Sequence, residues 1–541
     1  MTLAPEFRIE RLGPQNIAAR VTGSELNVAD LSAAGMLHGR ILVSPHAYAR
    51  IRSIDTSKAL GLPGVVAVLT HADCPASPAL AGSHRTAPLL TSQARFAGDW
   101  IAVVAAETGL IAEEALGLIE VDYEPLPAVL DIAQALETGV DGDVKAAFAN
   151  AARTAAFAGI ASQPSRVDFG QQAAFTAPDA EGVVTVTSAA DGPVAERSLE
   201  AVAVLLTRTS ARPAKVVEPE LADAFSRQAS ALHSVRMAAN EEGVIIALDH
   251  IVIVDAGAYS EGETVRADIA ALTGALRVGA LSGGVSTVYT HTPPTDNAAI
   301  SDTLNSGFIV QQAVDMLAET LDMDPLEFRL NNLVAGEAGA RMDACIRAGV
   351  DRFGWRSKWH GWARDRAAGG RYRQGIGLSI LSRHHDGQLF GHQADFVEVE
   401  VDTETGITVL LSHVCALDIT DFRGLPDPVQ LQASVLRSIG NALIEDSPFG
   451  GSGTAAVTGP LRAPTIMDAP NLDYVFTGTP LPEGADGGHD PARAGSADLA
   501  PAMANAIYDA GGIRMTRLPF SADAILRRLH AQARRYEPKG E

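Results

Sequence analysis

At 541 residues, 47% hydrophobic and 20% charged, the chain has the make-up of a globular protein of about three or four domains, not of a disordered tail. Its formal net charge of −23 argues against nucleic acid or an anionic membrane as a partner. Three cysteines, Cys74, Cys345 and Cys415, with no Cys-x-x-Cys, exclude a cysteine-ligated iron–sulfur cluster or a multi-cysteine zinc site within the chain and suit a reducing compartment.

The opening MTLAPEFRIERLG carries acidic residues early and no apolar segment, so no secretory signal is expected. No run of ~18 apolar residues offers a membrane span, and cytoplasm is the expected location. Ile41-Leu42 is extended up to the Ser44-Pro45 break, and Ile51 and Ile54 flank a polar bend. Asp55 is expected to cap a short helix over Thr56–Leu60. Gly64 ends it after Pro63, and the β-branched run Val65–Leu69 predicts a buried strand. Residues 1–135 form the first unit, and 136–162, rich in Ala, read as a helical or loosely ordered connector.

A second unit, 163–335, holds a short strand at Gly182–Thr187, a helix at Leu199–Leu206 and a strand at Ala214–Val217. After the Glu242-Gly243 turn, VIIALDHIVIVDAGAYS alternates as a long strand with one covered face. DMLAETLDMDPLEFRLNNL is an amphipathic helix with Met316, Leu317, Leu321 and Phe328 as apolar points, interrupted at Asp324-Pro325. The third unit, 340–541, contains GIGLSI, a hairpin turning at Thr405-Gly406, and a helix at Val429–Glu445.

The stretch Gly39–Pro75, followed by Phe96-Ala97-Gly98-Asp99-Trp100 and VDYEPLPA at 121–128, closely resembles the α/β hammerhead domain of the large subunit of the xanthine oxidase and aldehyde oxidase family of molybdenum hydroxylases. ARPAKVV, the strand through VDAGAYS, VYTHTPP and the 315–333 helix resemble the family's first molybdopterin-binding region. CIRAGVDRFGW, FVEVEVDTETGITVLL, RAPTIMDAP and PAMANAIYDAGGIRMTRLPFSADAILRRL resemble the second. The implied fold is α+β: an N-terminal hammerhead domain followed by two shortened molybdopterin-binding-type α+β domains.

The resemblance implies a pyranopterin held by backbone amides and by Gln or Arg side chains, because the group is anionic at its phosphate and polar at its pterin edge. Here the family's motifs are altered. No glycine-rich loop lies between Val184 and ARPAKVV, and Thr292-Pro293-Pro294 continues as TDNAAISDTLNSGF without an arginine. Only LSRHHDGQLFGHQAD separates Ile380 from Phe396. Gln430 stands where a cofactor-binding glutamine is expected, but Val429 replaces its glycine and Arg437 a second glutamine. The family's glutamate, which deprotonates the metal-bound hydroxyl, falls near Arg493 or Ala494, with Asp498 out of register. No catalytic residue and no molybdopterin are therefore expected for this chain alone.

Among other groupings, His384, His385, Asp386 and His392 are read as a solvated loop rather than a metal cluster, and FGGSG at 449–453 as a turn. No Gly-x-Ser-x-Gly marks a hydrolase elbow, and Asp255 is read as structural. The functional expectation is a degenerate homologue, a pseudoenzyme acting as a non-catalytic partner subunit in a hetero-oligomer. Its partners would be a catalytic homologue or the iron–sulfur and flavin subunits of such an enzyme. The alternatives are a molybdenum oxidoreductase subunit completed by a partner chain, and a cofactor-free enzyme using the emptied cleft.

Overall fold

The structure, a computed structural model, describes residues 7–11, 28–74, 88–130, 153–162, 173–178, 183–188, 199–217, 230–259, 275–293, 304–362, 370–385, 388–445, 464–482, 488–489 and 499–536. The N-terminal part supplies strands β1 (Phe7–Arg11), β2 (Leu37–Val43), β3 (Ala49–Asp55), β4 (Val65–Thr70), β5 (Gln93–Ala94), β6 (Trp100–Ala106) and β7 (Glu120–Pro125). Its helices are α1 (Ser57–Leu60) and α2 (Gly109–Leu116). β8 (Arg153–Ser162), β9 (Ala173–Pro178), β10 (Val184–Ser188), α3 (Leu199–Ser210) and β11 (Ala214–Val217) follow.

A seven-stranded sheet runs in the order β1-β10-β9-β11-β2-β6-β4. β6 is its most apolar strand and is buried on both faces. Val103 and Ala105 pack with Val202 and Leu206 of α3, while Ala102, Val104 and Ala106 pack with Ala112 and Ala115 of α2. Alternation along one strand thus serves two helical layers. Thr176 of β9 ties α3 down, its hydroxyl 2.6 Å from that of Thr207. The sheet draws strands from both sides of residue 135, with β11 parallel to β2.

Two local expectations change. The polar stretch between Ile51 and Ile54 is no bend but part of β3, bulged between Ile51 and Ser53 where it pairs with β7. Asp55 acts one position before the N-cap, Thr56, by accepting from Ser57 N at 2.9 Å. A larger correction concerns the Ala-rich connector: residues 153–162 are β8, neither helical nor loose. Ten residues of antiparallel pairing to β12 (Ser230–Ala239) override the helix propensity of alanine.

The second sheet has the order β14-β13-β12-β8, with β13 (Ile245–Asp255) and β14 (Ala280–Val288) parallel. Helices α4 (Leu304–Thr320) and α5 (Pro325–Asn331) follow, split where Asp324 caps α5 through Leu326 N. Next come α6 (Glu337–Phe353) and α7 (Trp355–Lys358). The third sheet, β15-β16-β17-β18, contains β15 (Tyr372–His385), β16 (Gln388–Asp402), β17 (Thr408–Asp418) and β18 (Asn471–Thr477). Helices α8 (Pro428–Ile439), α9 (Ala500–Gly511) and α10 (Ala522–Tyr536) complete the C-terminal part. One apolar core joins the second and third sheets through α4, α6 and α9.

Motif residues seat the parts on one another. Asp99 of FAGDW is buried and accepts from Arg95 N, Trp100 N and the Tyr259 hydroxyl, the last at 2.9 Å. Tyr259 belongs to VDAGAYS, so two resemblance motifs meet face to face. At Gly257 (φ +69°) a Cβ would lie 2.2 Å from the Pro293 carbonyl, which explains the glycine beneath the Thr-Pro turn.

Candidate functional site

Asp255 behaves as expected of a structural carboxylate: it accepts from Gly257 N (2.9 Å) and from the Thr290 hydroxyl (2.7 Å), which in turn contacts Thr292. These bonds hold the turn that carries Thr292 and Pro293. Asp386, FGGSG at 449–453, Arg493, Ala494 and Asp498 lie outside the described residues.

The histidine group needs correction. His384 and His385 lie at the end of β15, paired with Leu389 and Gln388, and His392 lies within β16. The shortened stretch between Ile380 and Phe396 is thus a long hairpin, not a solvated loop. His392 is buried, 3.0 Å from the Ser382 hydroxyl.

Gln430 sits in the first turn of α8, exposed, beside Val429, itself 64% exposed. Arg437 is exposed in the last turn. The amino end of α8 is closed by Asp427, whose carboxylate accepts from Val429 N at 2.9 Å. A helix N-terminus ordinarily attracts an anion, but here a fixed negative charge already takes that position. Gln430, Asp427 and Val429 therefore do not form a cradle for the anionic pterin that the sequence resemblance implies.

The third sheet brings together a group that the sequence reading missed. Asp395 of β16 faces Cys415 of β17 in register, and His413 lies two residues before Cys415 on the same face. All three are buried. Gln393 donates to both oxygens of Asp395, and Arg383 donates to Gln393 Oε1 at 3.2 Å. Burial, with Asp395 alongside, pushes the Cys415 thiol well above its usual value. Nearby, burial pushes the Cys345 thiol up to about 12, so neither is a ready nucleophile. The one available sequence signal was His413 and Cys415 at i and i+2 in a strand; their carboxylate partner comes from another strand.

Two family descriptions match the chain: an aldehyde oxidase and xanthine dehydrogenase a/b hammerhead domain over residues 22–127, and a molybdopterin cofactor-binding domain over residues 192–333. The carbon monoxide dehydrogenase large chain of Afipia carboxidovorans is 46% identical over 115 residues, which is 20% of this chain and 14% of that protein. This and the next several curated relatives are thus matched over a small part of their own length. The nicotinate dehydrogenase large molybdopterin subunit of Eubacterium barkeri is 27% identical over 384 residues, covering 60% of this chain and 88% of that subunit. In fold, quinoline 2-oxidoreductase from Pseudomonas putida 86 superposes with a TM-score of 0.80 at 18% identity, covering 95% of this chain and 97% of the other.

Proposed function

Since the chain belongs to the xanthine oxidase and aldehyde oxidase family as a molybdopterin-binding-subunit homologue, we propose that it serves as a non-catalytic partner subunit in an assembly of this family. In this reading residues 1–135 act as the hammerhead-type unit, and 163–335 and 340–541 as two shortened molybdopterin-binding-type units that supply packing surfaces. The chain carries no molybdopterin of its own. Three free thiols suit work in the reducing cytoplasm.

The observation that carries the reading is an apolar surface at α8. Leu425 and Val429 are each 64% exposed, and Ile466 and Met467, in the short turn packed against α8, are 78% and 87% exposed. Large apolar side chains grouped in this way mark a contact surface. They lie next to Gln430, the residue whose family counterpart faces the cofactor. A surface there suits an intact catalytic homologue, or the iron–sulfur and flavin subunits, better than it suits a pterin.

The test is co-expression of the full chain with an intact molybdopterin-binding subunit of this family, followed by size-exclusion chromatography with light scattering. A stable hetero-complex is expected, weakened by the double variant Leu425→Asp, Met467→Asp. A monodisperse monomer that ignores the intact subunit overturns the reading. A second reading is favoured by the alignment that spans 88% of a relative named as a large molybdopterin subunit. In it, a partner chain supplies the missing carboxylate and completes a molybdenum site. Stoichiometric molybdenum at this chain in the co-expressed complex would select it.

A further inference from the structure

We propose that Asp395, His413 and Cys415 form a structural zinc site within the third sheet, apart from any molybdenum chemistry. One carboxylate oxygen, one imidazole nitrogen and the thiol sulfur all lie within 4.8 Å of one another. The three residues are 1%, 0% and 2% exposed. His413 Nε2 stands 2.9 Å from Asp395 Oδ1. Tetrahedral zinc, with bonds of about 2.0–2.3 Å, holds its ligand atoms roughly 3.3–3.8 Å apart. Closure around the ion therefore asks only for side-chain adjustments of about 1 Å within a rigid two-strand frame.

The donor set argues for zinc among the common ions. Thiolate and imidazole disfavour magnesium and calcium, and one carboxylate with one thiolate neutralises a divalent charge. Neutrality matters at a buried site, because an unbalanced charge there is expensive to desolvate. On binding, the Cys415 sulfur–hydrogen bond breaks, its proton leaves to solvent and the sulfur–zinc bond forms; no oxidation or reduction is involved.

Support for the ligands is already in place. Gln393 Nε2 donates to both Asp395 oxygens at 3.0 and 2.8 Å, fixing the carboxylate as outer groups fix metal ligands elsewhere. One buried polar atom beside the three ligands is unmet among the described residues. Among the described residues the hydroxyl of Tyr474, which sits opposite Cys415 on β18 and packs against it, has no hydrogen-bond partner. The His413–Asp395 hydrogen bond leaves that hydroxyl unmet. Tyr474, or a water held by it, is the candidate for the fourth position.

The experiment uses the full chain, produced in zinc-supplemented medium and examined by elemental analysis for zinc, copper and molybdenum. One zinc per chain is expected, falling at least about tenfold in Cys415→Ser and in His413→Gln and unchanged in Cys74→Ser. Cobalt in place of zinc should give a thiolate-to-cobalt absorption band in the near ultraviolet for the wild type. Should the variants fail to fold, that wild-type spectrum still decides. A folded wild type without zinc and without the cobalt band overturns the proposal, as does zinc retained in full by Cys415→Ser. Copper in place of zinc also overturns it. The molybdenum reading in the same run bears on the subunit's role and not on this site.

Discussion

Arg329 Nη1 lies 2.6 Å from Asp315 Oδ1, with the two side chains 0% and 6% exposed, so the α4–α5 junction is locked by a fully enclosed ion pair. Arg329 also donates to Gln311 Oε1 from Nε and Nη2 and to the Pro325 carbonyl. Burial pulls the Asp315 carboxyl up, while the guanidinium opposes that pull. Arg329→Met should cost about 3–5 kcal/mol, because it leaves Asp315 buried without its counter-charge. Arg329→Met with Asp315→Leu should recover most of the loss. Denaturant titrations of the two variants decide; equal losses would show that packing, not the pair, holds the junction.

Helix α9 approaches β15 closely because Gly375 and Gly377 face it. A Cβ at Gly377 would lie 2.1 Å from the Ala502 carbonyl and 2.4 Å from Ala506 N, and one at Gly375 would lie 2.4 Å from Ala510 N. These are backbone atoms and cannot swing away. Gly377→Ala should therefore lower stability by about 1–3 kcal/mol, the usual range for overpacking, and Gly377→Val by more. The same substitution at Gly336, where a Cβ meets nothing within 4 Å, tests the backbone alone, its φ being +92°. A thermal melt of Gly377→Ala that matches the wild type would refute the close-packing account.

His233 Nδ1 and His250 Nε2 face each other at 3.0 Å across β12 and β13, both buried. Burial, reinforced by His250, pushes His233 down to about 3. Burial pushes His250 down to about 4 against the opposing pull of Asp249. Unfolded, both titrate near ~6.5. From that value down to the folded ones, the unfolded chain takes up protons that the folded chain refuses, so stability falls as pH falls through this window. Each group contributes up to about 1.4 kcal/mol per pH unit there. His233→Gln should flatten the decline in denaturation midpoint below about pH 6.5 relative to the wild type. An unchanged slope would assign the acid sensitivity to other groups.

Legibility in the sequence followed the range of the forces. α3 and the turn at Gly406 were readable because apolar periodicity and a glycine at φ +75° act locally; the β-branched run gave β4 as a strand, but it lies at the sheet edge with Val66 41% exposed and is not buried throughout. β8 was not, since Ala155, Ala156 and Ala158 favour a helix until β12 offers ten paired residues. The seven-stranded sheet was equally hidden: Leu37 and Ala214 become partners only through a parallel pairing between distant segments. Asp395 and His413 are 18 residues apart, and no spacing rule joins them until the register of β16 against β17 is known. The resemblance located Gln430 but could not say that it would be exposed and flanked by Asp427.

Expressed alone, the chain should hold no molybdenum and show no aldehyde- or purine-dependent dye reduction. Cofactor affinity comes from many backbone and side-chain contacts made together. The sequence lacks the glycine-rich loop, has no arginine after Thr292-Pro293-Pro294, and carries Val429 in place of glycine. At α8 the Asp427 carboxylate sits on the amide that an anion would seek. By the resemblance the family's glutamate position falls near Arg493 or Ala494, and proton transfer by a positioned carboxylate is typically worth about 10²–10⁴-fold in rate. Ala494→Glu should therefore not restore turnover, since a carboxylate gains nothing without a metal-bound hydroxyl to deprotonate. Asp427→Asn is the sharper probe: it removes the negative charge while keeping a capping oxygen for Val429 N, so helix stability should change by only a few tenths of a kcal/mol. If molybdenum stays absent in Asp427→Asn, the defect is distributed over the altered motifs. Stoichiometric molybdenum in the unmodified lone chain would instead show that these motifs are dispensable.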